Sequence, residues 1–348
     1  MAQERSFGWG IMGTGAIAGL FAADLGLLPQ ARIAAVHSRS QDKAQAFADR
    51  LSATAYDDEA AFLADPAVAA VYIATPNHLH AAQALKAIAA GKPVLIEKPI
   101  ALKSGDVEAI AQASRERGVF AMEALWSRFL PAVRAVREQL AAGRIGDIRR
   151  IRADLSYAHP QEPGSRFFDP ALGGGAAFDL GVYPLSLVLH LLGEPQAVSG
   201  RWLAAASGVD LRSEFRLDYP QAVAELSCGF DRNGTNRFLI EGTRGALLIE
   251  TPFLKAQRLS FVSDPVRASA VYERGQGLAT RFLDRIPKAG RRSEIFAFPG
   301  NGLQFQAEAV MAAVRAGETG CATMPLSESA AVLRIIETVL AQPPAGRD

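Results

Sequence analysis

The chain has 348 residues, which suggests two domains because a single hydrophobic core stops growing beyond about 250–300 residues. Its composition is that of a globular protein, with 21% charged residues and a formal net charge of +1, so neither nucleic acid nor an anionic membrane is favoured as a partner. The two cysteines, Cys228 and Cys321, lie far apart and outside any metal-type spacing, and we expect them to be reduced thiols.

The first predicted element is an apolar strand over residues 7–12, followed by a glycine-rich turn and a helix. The turn matches the pattern G-x-G-x-x-[G/A]: Gly13 permits the tight turn, Gly15 admits the pyrophosphate, and Ala18 lets the helix pack on the strand. The phosphates would bind the free N–H groups at the start of the helix. A simple turn is the alternative, but the strand before it and the helix after it favour dinucleotide binding. The predicted cofactor contacts in this turn are Gly13, Thr14, Gly15, Ala16 and Ile17.

The second predicted strand, over residues 31–36, ends where a protein that binds NAD would carry an acidic residue for the ribose hydroxyl. The sequence after it reads His-Ser-Arg-Ser, and the first acid is Asp42. The Arg39 guanidinium and the neighbouring Ser38 hydroxyl suit a 2′-phosphate, and Lys43 would add a point charge. We therefore predict NADP rather than NAD as the cofactor. The alternative is that Arg39 is an exposed surface arginine.

Another apolar strand, predicted over residues 69–74, stops at the sequence Thr-Pro-Asn-His-Leu-His. Its two histidines lack the i, i+4 spacing and the accompanying carboxylates or thiols of a metal site, so we expect no metal. We predict that these residues line a crevice near the nicotinamide and the substrate. The alternative, that the histidines cap the next helix, remains open. The residues predicted here are Thr75, Pro76, Asn77 and His80 for the cofactor and His78 for the substrate.

Residues 93–99, which read Pro-Val-Leu-Ile-Glu-Lys-Pro, predict a buried parallel strand that must end at Pro99, because proline has no N–H to donate. Ligands bind outside the carboxyl ends of such strands, so we predict that Glu97 and Lys98 contact the cofactor there. A solvated charge pair is the alternative. This alternation of strands and helices predicts an α/β, doubly wound parallel sheet, an NADP-binding Rossmann domain over residues 1–122. Helices are predicted near residues 42–51, 59–63, 80–88 and 104–117.

The second half, residues 123–348, is predicted to be an α+β domain. Runs of alternating apolar and polar residues, separated by tight-turn signals, predict an antiparallel meander. Residues 264–298 are rich in charges, prolines and glycines and predict an irregular excursion over the substrate. Helices over residues 303–316 and 327–341 are predicted to close the chain. The predicted strands cover residues 146–158, 197–207, 211–219, 222–231, 237–242 and 245–250.

Three features resemble, in this order, the glucose–fructose oxidoreductase/inositol dehydrogenase (Gfo/Idh/MocA) family: the glycine turn, the Thr-Pro-Asn-x-x-His strand end at residues 75–80, and Glu-Lys-Pro at residues 97–99. The segments Met-Glu-Ala-Leu-Trp-Ser-Arg-Phe at 122–129 and Gly-Gly-Gly-Ala-Ala-Phe-Asp-Leu-Gly-Val-Tyr-Pro at 173–184 resemble its branch of dihydrodiol dehydrogenases and NADP-linked aldose dehydrogenases. The resemblance spans essentially the whole chain. It implies a Rossmann domain joined to an α/β domain with a large, mainly antiparallel sheet, which often mediates dimerisation.

Many members of this family carry a histidine four residues after the aspartate, whereas this chain has Tyr183 four residues after Asp179. The resemblance therefore implies Lys98 and Tyr183 as the catalytic pair and makes inositol-type substrates less expected. Hydride transfer needs a carbinol C–H against the nicotinamide and an acceptor for the hydroxyl proton. An ammonium beside a phenol stabilises the phenolate. We predict that Tyr183 exchanges the proton, that Lys98 lowers its pKa and binds the substrate oxygen, and that Asp179 orients the substrate or Lys98.

Two alternatives to these roles stay open. Lys98 and Tyr183 could exchange functions, or Tyr183 could be a core tyrosine and Asp179 a residue that starts a helix. Aromatic and basic residues nearby are predicted to form the pocket walls. They are Trp126 and Arg128 against the cofactor, and Trp126, Phe168 and, with less support, Phe167 against the substrate.

We thus expect an NADP-dependent oxidoreductase that acts on an aldose or a cyclic trans-diol and forms a homodimer through its C-terminal sheet. The N-terminus lacks a basic region followed by a long apolar one, and residues 171–192 contain an aspartate and several glycines, so a cytoplasmic location without a membrane span is expected. One alternative is a glycosidase that retains NAD through its cycle, which the Ser-Arg pair at 38–39 disfavours. The other is a catalytically idle NADP sensor, which the presence of both Lys98 and Tyr183 disfavours.

Overall fold

The computed structural model describes residues 6–162, 164–274 and 290–346. The chain forms two compact units. The first unit contains Met1–Trp126 and Pro299–Ala330, and the second contains Ser127–Phe298 and Ala331–Asp348. The predicted boundary at residue 122 assigned the whole C-terminal part to one domain, whereas in the structure Pro299–Ala330 groups with the N-terminal residues.

The first unit is built on a parallel sheet, which confirms the predicted Rossmann-like fold. The sheet has six strands in the order β3-β2-β1-β4-β5-β6, and every neighbouring pair is parallel. All residues of β1, β4, β5 and β6 are buried, as expected for strands of a parallel sheet. Because the strand order reverses between β1 and β4, a crevice opens beyond their carboxyl ends. The strands are β1 (Phe7–Met12), β2 (Ala31–His37), β3 (Thr54–Tyr56), β4 (Ala70–Ile73), β5 (Val94–Ile96) and β6 (Ala121–Glu123).

The helices that connect these strands lie where the sequence predicts them. The sequence analysis missed β3 and β6, because each has only three residues and shows no measurable alternation. Single-turn helices follow α2 and β4, at Asp49–Leu51 and Asn77–Leu79. The helices are α1 (Ala16–Leu25), α2 (Gln41–Ala48), α3 (Glu59–Ala64), α4 (His80–Ala89) and α5 (Ser104–Arg117).

The second unit contains a large mixed sheet of eight strands in the order β14-β13-β12-β11-β7-β10-β9-β8. Only the β7–β10 pair is parallel, so the prediction of a mainly antiparallel sheet is confirmed. The predicted meander is wrong at one place, because β7 lies between β10 and β11 and separates them. The strands are β7 (Ile148–Ser156), β8 (Ala197–Ala204), β9 (Asp210–Asp218), β10 (Val223–Gly229), β11 (Phe238–Gly242), β12 (Gly245–Ile249), β13 (Arg258–Val262) and β14 (Arg291–Ile295).

Three helices among the described residues accompany this sheet: α6 (Pro131–Ala141), α7 (Val182–Leu192) and α8 (Pro265–Tyr272). A π-helical turn, Ala177–Gly181, leads directly into α7. The stretch Pro170–Leu192 has the length and hydropathy of a membrane span, but 72% of its most apolar window is buried inside the fold, which is typical of a core helix.

The prediction that residues 264–298 are irregular is wrong for the part of this segment that the structure describes. Residues 264–274 include α8, and residues 290–298 include β14. The helix forms because Ala268 and Val271 pack on Leu239 and Leu248 of the sheet. Residues 275–289 lie outside the described residues.

Two further helices, α9 (Leu303–Arg315) and α10 (Leu326–Leu340), complete the chain. The side chain of Asp24 on α1, which is 1% exposed, holds the start of α9. Its carboxylate accepts the N–H groups of Asn301 and Leu303, each at 2.9 Å. The residue before α9, Gly302, has no capping side chain, so Asp24 satisfies N–H groups that would otherwise lack an acceptor.

We expect Asp24→Ala to lower the free energy of unfolding of the first unit by about 2–3 kcal/mol, because at least two buried N–H groups lose a charged acceptor. Urea unfolding followed by circular dichroism measures the change. Glu318→Ala, an exposed position of the same unit, is the matched control and should stay within about 0.5 kcal/mol of the parent. Equal free energies of unfolding for the two variants would contradict the capping role of Asp24.

Candidate active site

The glycine turn between β1 and α1 forms a cradle for a pyrophosphate. Gly13 has a φ of +109°, and a Cβ at this position would lie 2.6 Å from the carbonyl oxygen of Ala74, so only glycine fits. A Cβ at Gly15 would instead meet nothing within 4 Å, which leaves open space in front of the helix. No side chain among the described residues caps α1, and its first turn contains no acidic residue. The free N–H groups of the turn thus fit an anionic ligand, and Thr14, Ala16 and Ile17 flank them as predicted.

The end of β2 presents basic side chains where a dinucleotide would place its adenosine ribose. Arg39 and Lys43 are exposed, and neither has an ion-pair partner among the described residues. Ser38 is half-buried, and its N–H donates to the Tyr56 carbonyl oxygen at 3.1 Å. The Ser40 hydroxyl accepts the Lys43 N–H and caps α2. This edge therefore offers two cations and a neighbouring hydroxyl, and it fits a phosphate on the ribose.

The loop after β4 contains the predicted Thr-Pro-Asn-His sequence at the carboxyl edge of the sheet. Thr75 and Asn77 are half-buried, whereas Pro76 and His78 are exposed. The Thr75 hydroxyl donates to Gln83 Oε1 of α4 at 2.6 Å, which fixes the start of the loop.

His80, the first residue of α4, is 1% exposed and connects two strand ends. Its Nδ1 lies 2.8 Å from the Pro99 carbonyl oxygen, and its Nε2 lies 2.8 Å from the Thr75 carbonyl oxygen. Burial lowers the pKa of His80, although both carbonyl oxygens oppose this effect. The ring thus holds the loop after β4 against the segment that carries Lys98. This role lies between the two that the sequence left open, which were lining the crevice and capping the next helix. Its direct contact with a cofactor stays a prediction.

Glu97 and Lys98 follow β5 directly, at the same edge of the sheet. Glu97 is 4% exposed, and its carboxylate accepts the Tyr72 hydroxyl and the Lys98 N–H, the latter at 3.1 Å. Burial raises the pKa of Glu97 to about 7, while Tyr72 and the charge of Lys98 act in the opposite direction. The Lys98 side chain is half-buried and belongs to the edge that carries the glycine turn. The structure therefore places Lys98 at the edge of the sheet that carries the glycine turn, and its catalytic role stays a prediction.

The segment after β6 contains Trp126 and Arg128, the predicted wall residues. Trp126 is 8% exposed and Arg128 is 1% exposed. Within the second unit, Arg128 Nε donates to the Ser186 hydroxyl at 2.7 Å, and its Nη2 donates to the Ser186 carbonyl oxygen at 2.5 Å. Burial and the charges of Arg128 and Arg137 lower the pKa of His190, on the same helix, to about 3. Arg128 thus holds α7 one turn after Tyr183, and its contact with a cofactor stays a prediction.

Asp179 and Tyr183 lie one turn apart on the π-helical turn and α7. Asp179 is half-buried, and Arg166 Nη1 lies 3.9 Å from its Oδ1. Tyr183 is 7% exposed. Because residues four apart share one face of a helix, the second unit presents a carboxylate and a phenol together.

Arg166 is a neighbour of Asp179 that the sequence analysis did not identify, because its position in a long loop follows no pattern. Its guanidinium lies over the Phe167 ring, 4.3 Å from the centroid. Phe167 stacks on His159 at 4.5 Å, and Phe168 contacts Phe230 edge-to-face at 5.5 Å. These aromatic contacts fix the loop that contains the two predicted pocket phenylalanines, and their contact with a substrate stays a prediction.

The described residues contain no group of three or more His, Cys, Asp and Glu side chains that could hold a metal ion. Cys228 and Cys321 are both free thiols. The first unit offers a phosphate cradle, a basic edge and Lys98, and the second unit offers Asp179 and Tyr183 on one helix. These are the groups that hydride transfer to or from a carbinol requires: a dinucleotide site, a cation and a proton donor.

Comparison with known proteins identifies both units. The oxidoreductase family with an NAD-binding Rossmann fold, GFO_IDH_MocA, matches residues 7–125, and the GFO/IDH/MocA C-terminal domain matches residues 133–248. The trans-1,2-dihydrobenzene-1,2-diol dehydrogenase of Bos taurus is 31% identical over 342 residues, which cover 95% of each chain. The D-xylose 1-dehydrogenase (NADP(+)) of Hypocrea jecorina is 29% identical, over 96% of this chain and 91% of the relative.

Solved structures show the same fold over nearly the whole chain. The aldose–aldose oxidoreductase from Caulobacter crescentus, complexed with glycerol, superimposes with a TM-score of 0.81 at 25% identity and covers 96% of each chain. A 3-ketoreductase from Actinomadura kijaniata, in complex with NADP and TDP-benzene, gives a TM-score of 0.78 at 25% identity, over 96% of this chain and 97% of that chain. Both family domains and these full-length matches agree with the folds of the two units described above. The chain belongs to the GFO/IDH/MocA family of oxidoreductases.

Proposed function

We propose that this protein is an NADP-dependent dehydrogenase that transfers a hydride between the nicotinamide and a carbinol carbon of an aldose or a cyclic trans-diol. The observation that carries the proposal is the edge of the parallel sheet, where the uncapped glycine turn before α1 and the side chain of Lys98 occur together. The names of the relatives support the substrate class, since they include dehydrogenases of a dihydrodiol and of xylose.

The residues of the chain divide the chemistry as follows. A nicotinamide dinucleotide held by the glycine turn and the basic edge would supply the hydride chemistry. Tyr183 exchanges the hydroxyl proton of the substrate, and Lys98 hydrogen-bonds the substrate oxygen and favours the phenolate through its positive charge. Asp179 orients the substrate from the same helix face as Tyr183. In the oxidative direction, a CH–OH group becomes a carbonyl, its hydride goes to the cofactor, and its proton leaves through Tyr183.

Reduction of NADP⁺ or NAD⁺, followed by nicotinamide absorbance across a panel of aldoses, inositols and trans-diols, tests the whole proposal. Formation of NADPH with one sugar or diol class supports it. Hydrolysis of a glycoside without net NADPH would favour a glycosidase instead. Tight NADP⁺ binding without turnover in either direction would favour a sensor.

The preference for NADP rests on the basic edge at the end of β2. Arg39 would bind the 2′-phosphate through its guanidinium, Ser38 through its hydroxyl and Lys43 as a point charge. The described residues at this edge place no carboxylate against Arg39 or Lys43. The cations are therefore available to a phosphate.

We expect Arg39→Ala to weaken NADP⁺ binding by about 10- to 100-fold, because a charge-assisted hydrogen bond contributes about 1.5–3 kcal/mol and each 1.4 kcal/mol is tenfold in affinity. The affinity for NAD⁺ should change less than about threefold, since NAD⁺ lacks the 2′-phosphate. Fluorescence titration of both nucleotides measures the two constants. Arg32→Ala, which changes an exposed arginine at the other end of β2, is the matched control. Equal losses for NADP⁺ and NAD⁺ would refute the assignment of Arg39.

We expect Lys98→Met and Tyr183→Phe each to lower kcat by at least about 100-fold while the dissociation constant for NADP⁺ changes less than about fivefold. Each variant removes a group that acts on the reacting oxygen but leaves the glycine turn and the basic edge unchanged. Steady-state kinetics with the best panel substrate and a nucleotide titration provide the two values. Lys103→Met, an exposed lysine five residues away, should match the parent. A normal kcat in Lys98→Met would refute the catalytic role of Lys98.

We further propose that the chain forms a homodimer through the charged face of the second sheet. Ion pairs connect neighbouring strands on this face: Arg201 Nε lies 2.7 Å from Glu214 Oε2, and Arg216 Nη1 lies 3.3 Å from Glu225 Oε1. The opposite side of β9 is the buried one, with Phe215 and Leu217 in the core. Paired charges of both signs suit a self-complementary interface, because the same patch then meets itself across a twofold axis.

Light scattering should give twice the chain mass of 37.0 kDa. Arg216→Glu should shift the mass toward that of one chain, since it sets like charges side by side across the face. Lys103→Glu, which makes the same charge change in the first unit, is the control. A measured mass of 37.0 kDa for the parent protein, which is the mass of one chain, would exclude the homodimer.

A further inference from the structure

The helical segment that carries Asp179 and Tyr183 begins inside the fold, so its first N–H groups need an acceptor. A carboxylate from β9 reaches this position: Asp210, which is 2% exposed, accepts the Ala177 N–H with Oδ2 at 2.8 Å. Ala177 is the second helical residue, and its N–H is one of those that an N-capping side chain usually binds. Asp210 thus caps the segment from another strand, 33 residues further along the chain.

Two further contacts fix the carboxylate in this position. The Ser213 hydroxyl donates to the same oxygen, Oδ2, at 2.7 Å. The other oxygen, Oδ1, lies against the backbone of Gly175, where a Cβ would approach it to 2.2 Å, and Gly175 has a φ of +120°. Only glycine therefore lets the carboxylate sit against the start of the helix.

We propose that Asp210 is a positioning residue for the reaction, because it holds the start of the segment that presents Asp179 and Tyr183. The inference rests on the proposed function insofar as it assigns Tyr183 to proton exchange. Asp210 itself touches neither substrate nor cofactor in this role. Its hydrogen bond fixes the first turn of the helical segment. Asp179 belongs to this turn, because its N–H donates to the Gly175 carbonyl oxygen at 3.2 Å.

Burial makes the protonation state of Asp210 sensitive to pH. Burial raises the pKa of Asp210 to about 6, while Ser213 and the Ala177 N–H oppose this rise. The titratable neighbour is Cys228 on β10, whose own pKa burial and the charge of Asp210 raise well above its usual value, so it remains a neutral thiol. Among the described residues no cation pairs with Asp210. The carboxylate therefore dominates at neutral pH and is lost as the pH falls through about 6.

The test compares Asp210→Ala, Asp210→Asn and the control Asp218→Ala in the full-length protein. Asp218 is the last residue of β9, is half-buried and pairs with Arg216. Hydrogen exchange of peptides that cover residues 174–183 reports the cap without any need for activity. We expect exchange there to rise about 5- to 30-fold in Asp210→Ala, since a lost N-cap costs about 1–2 kcal/mol. Asp210→Asn should restore the parent rate, because its amide oxygen still accepts the Ala177 N–H.

Kinetics connect the cap to the reaction. Asp210→Ala should lower kcat about 10-fold or more with an unchanged dissociation constant for NADP⁺, and Asp210→Asn should recover most of kcat. Asp218→Ala should behave as the parent in every measurement.

Unchanged exchange over residues 174–183 in Asp210→Ala would overturn the inference, and so would changed exchange with an unchanged kcat. A failure of Asp210→Asn to restore either value would also overturn it, since the loss would then reflect general destabilisation. If the parent enzyme turns over no member of the panel, the proposed function fails separately, and the exchange data still decide whether Asp210 holds the helix that carries Tyr183.

Discussion

The start of a helix leaves backbone N–H groups without acceptors, and this constraint organises both units. The structure meets it in two different ways. At α1 the protein supplies no capping side chain, and Gly15 keeps the space in front of the helix open. At α9 and at the segment before α7, buried carboxylates of Asp24 and Asp210 supply the missing acceptors. A helix start without a capping side chain is suited to bind an anionic ligand. A helix start that a buried carboxylate caps is suited to hold the side chains of that helix in position.

The electrostatics at the carboxyl edge of the first sheet depend on a second buried carboxyl. Glu97 lies next to Lys98 in sequence, and its pKa of about 7 means that its charge changes across neutral pH. The Tyr72 hydroxyl and the Lys98 N–H stabilise the charged form, whereas burial and the charge of Glu123 oppose it. An ionised Glu97 favours the ammonium form of Lys98, and a neutral one removes that support. The charge of a buried carboxyl therefore changes beside the candidate catalytic lysine.

Local patterns in the sequence predicted the features that depend on neighbouring residues. The glycine turn and the strand end at Lys98 both follow from short stretches whose backbone or chemical requirements are specific. The helices of the first unit were predicted for the same reason, because periodicity over ten residues records which face is buried. The three-residue strands β3 and β6 were missed, since a strand that short has no period to read.

Contacts between distant residues could not be predicted in this way. Nothing near Asp24 indicates that it binds N–H groups 277 and 279 residues away, and so Pro299–Ala330 was not expected in the first unit. The position of β7 between β10 and β11 likewise depends on pairing across the whole second unit. The resemblance to the family supplied Tyr183 and Asp179, which composition and spacing alone left open, but it did not supply Arg166 or Asp210.

These differences follow from what each kind of residue does. A residue that binds a widely used cofactor must satisfy the same geometry in many proteins, so its pattern is general and can be read from one chain. A residue that holds a catalytic helix in place must satisfy only the packing of this fold, as Asp210 does between Gly175, Ala177 and Ser213. Its identity is therefore visible only when the distant strand and the helix are seen together. Arg166 is a second example, because it meets Asp179 through a loop whose course is fixed by the stacking of Phe167 on His159.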